Sequence, residues 1–298
     1  MDKSQNNKTI IIKGKGFINF DGVDDVYTCY SSYGLVSRVM RRLTRTLEFH
    51  CLDAIIYGEW KKRLKSIDTV IIFDCGVGSV DRIVNYIKHV NPKIRIVFWY
   101  WNPVNPNDGI PNNDAIDEIW TYNRFDAKKY GLRYNPQFYY MPSVPVKPND
   151  GSDIVFVGTN KGREQILSDI DKKARKQGLN CKIHIVESKK DSVKYTDYLS
   201  GVAASKCVID LVPDQFCGLT LRPLEALFFK KKLITNYEDI VNYSFYNKAN
   251  IFLLGKDNIN NLAEFVNSPY KEVKKEIVDY YSYRSWQKRI ERGESLKP

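Results

Sequence analysis

The chain lacks most of the features that assign chemistry quickly. It has three histidines and six cysteines in 298 residues. None of the cysteines (Cys29, Cys51, Cys75, Cys181, Cys207, Cys217) forms a CxxC pair or stands beside a histidine at zinc spacing, which excludes the common zinc modules. Scattered thiols, some in or beside β-like runs, suit a reducing compartment. No apolar run approaches the roughly 18 residues of a membrane span. The opening MDKSQNNKTIIIKGKGF holds no apolar stretch long enough for a secretory signal. The expectation is a cytoplasmic protein, soluble or peripheral, with the inner face of the plasma membrane as its one membrane option.

Other absences narrow the chemistry. No GxxxxGK[ST] loop occurs. Gly14-Lys15-Gly16 follows a strand-like run, but Asn19 stands where a dinucleotide fingerprint needs its third glycine. Asp169-Ile170-Asp171 has DxD spacing inside a helical pattern, where the two side chains diverge, and Asp24-Asp25 has only Asp21 near it. No essential metal is expected. His50, His89 and His184 fall in helical or strand patterns and receive no catalytic role.

What the chain has is positive charge, at a formal +11, with 43% hydrophobic residues. That balance favours anionic partners: nucleic acid, anionic lipid or phosphorylated small molecules. The basic residues are dispersed and no RNA-binding motif is present, so nucleic acid is not the expected partner. The length fits two domains of about 150 residues.

Strand and helix patterns alternate along both halves. Lys8 to Gly14, Asp68 to Gly76, Ile94 to Asn102 and Asp117 to Asn123 read as strands, and Val36 to His50 and Val80 to Val90 as helices. Asn135 to Ser152 carries four prolines followed by Asn-Asp-Gly, the best linker in the chain. The second half restarts with SDIVFVG, then a long helix stopped at Gly178. CKIHIVE, CVIDLVP and KLITN follow as strands, with LRPLEALFF as a helix between the last two. Tyr270 to Ile290 reads as helical. Alternation of this kind predicts parallel sheets covered on both faces, that is, an α/β chain of two Rossmann-like domains facing a central cleft. The expected boundaries are 1–145 and 146–298, with the last helix, about 278–298, packing back on the first domain. Ligands of such sheets sit at the carboxyl ends of the strands.

Two loops follow strands in the second half. Gly158-Thr159-Asn160-Lys161-Gly162-Arg163 offers glycines for close backbone approach, cationic donors in Lys161 and Arg163, and the N–H groups of a helix start. An ordinary basic turn is the plainer alternative. Gly218-Leu219-Thr220-Leu221-Arg222-Pro223 enters a helix in which Thr220 is a plausible N-cap and Pro223 suits the first turn. Glu225 then sits among Leu224, Ala226, Leu227 and Phe228. Helix-dipole stabilisation of an acid in the first turn is one explanation. A desolvated carboxylate seeking hydroxyl or amide partners, such as ribose hydroxyls, is the other.

GLTLRPLEALFFKKKLITN, Gly218 to Asn236, resembles the donor-nucleotide motif of GT-B glycosyltransferases, and FVGTNKGRE, Phe156 to Glu164, resembles the opening of that family's second domain. DEIWTYNRFDAKKYGLRYNPQFYYMP, Asp117 to Pro142, is similar to the linker-proximal end of the first domain in bacterial surface-polysaccharide members, of the capsule and lipopolysaccharide kind. The resemblance implies that Glu225 binds the ribose of a sugar nucleotide and that Gly218, Thr220 and Arg222 meet its diphosphate together with Gly158, Thr159 and Arg163. In many retaining members a second glutamate stands eight residues earlier; here that position is Cys217, with Asp214 and Gln215 nearby. The implied reaction is hexosyltransferase-like: transfer of a sugar from a nucleotide-diphosphate donor to a glycan or lipid-linked acceptor, with no further cofactor. The rival readings are a GT-B-fold sugar-nucleotide epimerase and a non-catalytic nucleic-acid-binding protein.

The first half should supply the acceptor side. Asp74, ending a strand at FDCGVG, is a candidate general base, with an N-cap as the alternative. Asn102, ending WYWN, is a second candidate. The aromatic run Phe98 to Trp101 reads as core rather than as a sugar platform. Arg38, Arg41, Arg42 and Arg45 share one helical face, with Val36, Val39, Met40, Leu43 and Leu47 on the other, so a solvated basic face or a contact with anionic membrane is expected there.

Overall fold

The computed structural model describes residues 8–15, 20, 22–46, 53–74, 79–143 and 152–298. The chain forms two compact units, Met1–Asn135 with Lys288–Pro298, and Pro136–Gln287.

In the first unit the strands are β-branched runs, whose stiff side chains favour an extended, packed backbone. The elements run β1 (Thr9–Lys13), β2 (Val26–Thr28), α1 (Leu35–Thr46), α2 (Asp53–Ile56), β3 (Thr69–Phe73), α3 (Val80–Val90), β4 (Arg95–Tyr100), β5 (Glu118–Thr121), α4 (Arg124–Tyr130) and β6 (Arg133–Tyr134). All pairs are parallel, in the order β2-β1-β3-β4-β5-β6. Successive residues Ile10, Ile11 and Ile12, and likewise Val70 to Phe73, are fully buried, which requires cover on both faces of the sheet. Phe98, Trp99, Tyr100 and Trp101 are all buried, so the aromatic run is core.

The second unit contains β7 (Ile154–Thr159), α5 (Glu164–Lys176), β8 (Cys181–Val186), α6 (Tyr195–Ala204), β9 (Cys207–Asp210), α7 (Leu221–Phe228), β10 (Lys232–Thr235), β11 (Ile251–Leu253), α8 (Leu262–Asn267), α9 (Lys275–Tyr280) and α10 (Tyr283–Glu291), the last crossing into the residues of the first unit. Its parallel sheet has the order β11-β10-β9-β7-β8. In both units the first strand lies between the second and the third, the doubly wound order whose direction reverses between the first and third strands. The α/β class and the two Rossmann-like sheets therefore match the sequence reading. β2, β11 and α6 did not stand out in it.

Several expectations change in detail. The compact units divide at Asn135/Pro136, before the proline-rich stretch, because Tyr139 already pairs with the second unit: its N–H donates to Tyr281 O and its carbonyl accepts from Tyr283 N. Residues 144–151 of the expected linker lie outside the described residues. The predicted helix over 270–290 is broken at Tyr281–Ser282, where Ser282 bridges to Tyr139. From Lys288 onward the chain belongs to the first unit: Arg289 Nε donates to Asn135 Oδ1 at 2.6 Å, and Leu296 N to Tyr134 O at 2.9 Å.

Helix α1 packs Met40 against the core and turns the rest of its described apolar side chains outward. Its Ser37 and Arg41 are fastened inward, each donating to Ser32 O at 2.7 Å, and the Arg41 guanidinium lies over the Tyr30 ring. Its apolar residues Leu35, Val36, Val39 and Leu43 are exposed.

Candidate functional site

In the second unit the direction of the sheet reverses between β7 and β9. The residues that follow these two strands, together with the start of α7, form a compact cationic cluster. Three local reasons bring them there.

First, β7 ends in Gly158-Thr159 and turns through Lys161 at φ 44° and Gly162 at φ 75°. A lysine in the left-handed region costs on the order of 1 kcal/mol, so the turn holds it against its preference. The sequence reading offers the N–H groups at the start of α5 to a phosphate. Instead Asn160 Oδ1 accepts from both Arg163 N and Glu164 N, because an asparagine side chain can reach back to cap the turn.

Second, Arg163 folds back beneath this turn. Its guanidinium donates to Leu211 O at 2.9 Å, Thr159 O at 2.5 Å and Asn160 O at 3.2 Å. Among the described residues no carboxylate lies within ion-pair distance of Arg163. Burial lowers its proton affinity, as does the neighbouring Arg222, the cost of keeping two guanidinia together.

Third, Arg222 in the first turn of α7 reaches over β7 to Val157 O at 2.5 Å. Both guanidinia lie over the ring of Phe156, at 5.3 Å for Arg163 and 5.1 Å for Arg222. Gly158 makes this possible: a Cβ there would stand 2.8 Å from Arg222 Nη2 and 3.5 Å from Arg163 Nη2. Burial pulls the Arg222 guanidinium down, and Tyr198, Asp210 and Glu225 around it more than offset this, so it stays above its ordinary value.

The carboxylate within reach of Arg222 is Asp210, the last residue of β9, with Oδ1 3.7 Å from Arg222 Nη1. It is 1% exposed. Thr220 stands at the N-cap position of α7, but its hydroxyl donates to Asp210 Oδ1 at 3.1 Å rather than to a helix N–H. A buried carboxylate is the more demanding acceptor. Asp210 Oδ2 and Arg222 Nε are both buried without a hydrogen-bond partner among the described residues. Burial raises the Asp210 carboxyl above its ordinary range, and Arg222, Thr220 and Arg163 offset part of that.

Glu225 lies one turn further along α7 and is 2% exposed. Its Oε1 accepts from Tyr195 at 2.7 Å and its Oε2 from Tyr198 at 2.6 Å, both on α6. Tyr195 also reaches the Tyr139 hydroxyl at 3.4 Å. The desolvated carboxylate has the hydroxyl partners its surroundings demand, but tyrosines supply them; they take the place the sequence reading gives to ribose hydroxyls. Burial raises the Glu225 carboxyl, and the bonds from Tyr198 and Tyr195 and the charge of Arg222 pull it partway back.

The structure thus gathers Gly158, Thr159, Arg163, Thr220, Arg222 and Glu225 around β7 and β9, with Lys161 exposed on the turn and Gly218, at φ 74°, in the loop before α7. Sequence reasoning missed Asp210, Phe156, Tyr195 and Tyr198. The acid ending the apolar strand CVIDLVP was a usable signal for Asp210; two tyrosines three apart in YTDYLS were a weaker one.

In the first unit Asp74 and Asn102 also come together, for a different purpose. Asp74 Oδ1 accepts from Trp101 N at 2.9 Å and Oδ2 from Asn102 N at 3.2 Å. Both oxygens brace the loop after β4. The N-cap position of α3 is taken by Ser79. Cys75 to Gly78, and His50, lie outside the described residues. His89 is exposed on α3, and His184 Nε2 lies 2.8 Å from Asp191 O. Asp169 accepts from Gln165 and Asp171 pairs with Arg175, so the DxD pair does diverge. Among the described residues, no helix is long and apolar enough to cross a membrane.

No protein-family model matches the chain, and no curated protein matches it. Among solved structures the chain is similar to TarM, with a TM-score of 0.48 and 12% identity over 75% of this chain and 54% of that one. It is also similar to HepE (Alr3699) of Anabaena, solved in complex with UDP and glucose, with a TM-score of 0.44 and 10% identity over 90% of this chain and 84% of that one. The chain spans about half the length of TarM.

Proposed function

We propose that the chain is a glycosyltransferase that moves a sugar from a nucleotide-diphosphate donor to a glycan or lipid-linked acceptor of bacterial surface-polysaccharide synthesis, of the hexosyl-transferring kind. The observation that carries this reading is the pair of guanidinia, Arg163 and Arg222, flanking Gly158 where the sheet order reverses. Open parallel sheets bind ligands at that point. Two fixed arginines, with one carboxylate at ion-pair distance from Arg222 and, among the described residues, none from Arg163, favour an anion with spread charge such as a diphosphate.

The chemistry follows from the same residues. When the bond from the sugar to the diphosphate breaks, negative charge grows on the departing phosphate oxygens. Arg163 and Arg222, already fixed by backbone carbonyls, meet that charge without reorganising. The reading places the charge on these side chains and on the exposed Lys161 and not on a metal ion. Glu225, as the structure holds it, acts at one remove: it holds the Tyr195 and Tyr198 hydroxyls, and its charge, with that of Asp210, supports the Arg222 guanidinium. The reading leaves Asp74 as a loop brace and assigns no general base.

Product analysis tests the reading. The purified protein is incubated with nucleotide sugars, with and without a lipid-linked or glycan acceptor, and the products are resolved by mass spectrometry. Acceptor-dependent release of nucleoside diphosphate with a matching mass gain on the acceptor is expected. Conversion of the donor to an isomer without acceptor would instead identify an epimerase.

A further inference from the structure

We propose that α1 is a docking helix that lays its apolar face into an anionic lipid bilayer. Leu35, Val36, Val39 and Leu43 are 70, 73, 50 and 52% exposed. At 3.6 residues per turn these four share one face about 100° wide. Single exposed apolar residues are ordinary; a contiguous stripe of four is not. Nor is the stripe turned outward by chance. The other side of the helix is held by Met40, packed against the core, and by Arg41, stacked on Tyr30 and Tyr33, while Ser37 and Arg41 both bond Ser32 O. Ile55, 59% exposed on the α2 turn that packs beside α1, adds to the same apolar exposure.

Charge selects the occupant. The helix sequence LVSRVMRRLTRT contains four arginines and no acid. Arg38 and Arg42 are exposed and border the apolar stripe on one side; the side chain of Arg45 lies outside the described ones. An apolar face edged with guanidinia fits the boundary between acyl chains and phosphate headgroups, where the side chains insert and the arginines bond phosphate. A protein partner would have to present an apolar groove rimmed by acids instead. This reading concerns only α1 and does not depend on the transferase assignment. It goes beyond attraction of a basic face, because insertion requires the apolar residues.

Flotation of the full chain with vesicles tests it. Wild type should float with vesicles of phosphatidylcholine mixed with phosphatidylglycerol and stay behind with phosphatidylcholine alone. The triple change Val36→Ser, Val39→Ser, Leu43→Ser, at exposed positions and with an unchanged melting temperature, should reduce partition about tenfold or more. Arg38→Gln with Arg42→Gln should reduce it by about fivefold per arginine. Binding that survives the triple change but falls in the arginine variant would show charge attraction alone and overturn the proposal. Failure of wild type to float would overturn it too, as would a dimer in light scattering that the triple change dissolves, which would make the stripe an interface between copies of the chain.

Discussion

The Tyr198 hydroxyl donates to Glu225 Oε2 at 2.6 Å, and the Tyr195 hydroxyl donates to Oε1 of the same carboxylate at 2.7 Å. Helices α6 and α7 are therefore joined through one buried acid. Glu225→Ala would leave the buried Tyr198 hydroxyl without its acceptor and the half-buried Tyr195 hydroxyl with only its long contact to Tyr139, at about 1–3 kcal/mol each. A loss of roughly 2–5 kcal/mol of folding stability in urea titration is expected. Glu225→Gln should lose much less, because a phenolic hydroxyl can accept as well as donate and so turn to meet the amide. An alanine variant as stable as wild type would contradict this network.

Arg163 and Arg222 are expected to govern diphosphate binding. Each alanine variant should weaken nucleoside diphosphate binding by about 1.5–3 kcal/mol, the range for a hydrogen bond to a charged group. Binding of the matching nucleoside without phosphates should change little. Calorimetric titration of both ligands separates these outcomes. Equal losses for nucleoside and diphosphate would point to collapse of the loop rather than to a phosphate contact.

Gly158→Ala makes a sharper test of geometry. The added methyl would meet Arg222 Nη2 at 2.8 Å, so the guanidinium must leave the Phe156 ring. Diphosphate affinity should fall about as far as in Arg222→Ala, while the rest of the sheet, and hence the circular dichroism spectrum, stays as it was. Full affinity in this variant would mean that Arg222 does not need its observed position.

Asp210 carries a pH signature. Burial raises its carboxyl in the folded state, against partial offsets from Arg222, Thr220 and Arg163. With the folded value above the unfolded one, the native state binds the proton more readily. The stabilising contribution is present below the unfolded value, about 3.9, and fades as pH rises through the folded value. The stability of wild type relative to Asp210→Asn should therefore fall as pH increases from about 4 towards neutrality. Thermal melts of both proteins across that range check the sign. A relative stability that rises with pH would show that the ion pair with Arg222 outweighs burial.

How much of this was legible in the sequence depends on the range of the interaction. The β-branched runs Thr9–Lys13 and Thr69–Phe73, and the Gly158 and Gly218 loops, announce themselves locally, and the doubly wound class followed from them. Glu225 was legible as an acid in need of hydroxyl partners. Their identity was not, because Tyr195 and Tyr198 lie 30 and 27 residues away and meet it only once α6 packs beside α7. The outward turn of α1 was hidden for a similar reason: its amphipathic pattern is the same whichever face meets the core, and Ser37 and Arg41 decide the matter through contacts with Ser32. Asp74 shows the converse. Its position at a strand end was read correctly, but the N–H groups it serves lie 27 and 28 residues on, in the loop after β4.

The central claim, an arginine-clamped diphosphate site in the second unit, is tested most directly by thermal shift against a panel of nucleoside diphosphates and nucleotide sugars, run in parallel on wild type and Arg163→Ala. A ligand at 100 times its dissociation constant stabilises the native state by about 2.7 kcal/mol. The account predicts a clear rise in melting temperature of wild type with diphosphates of one base, in the presence of chelator as well as in its absence, and a much smaller rise in the variant. No shift with any member of the panel, or an equal shift in Arg163→Ala, would contradict it.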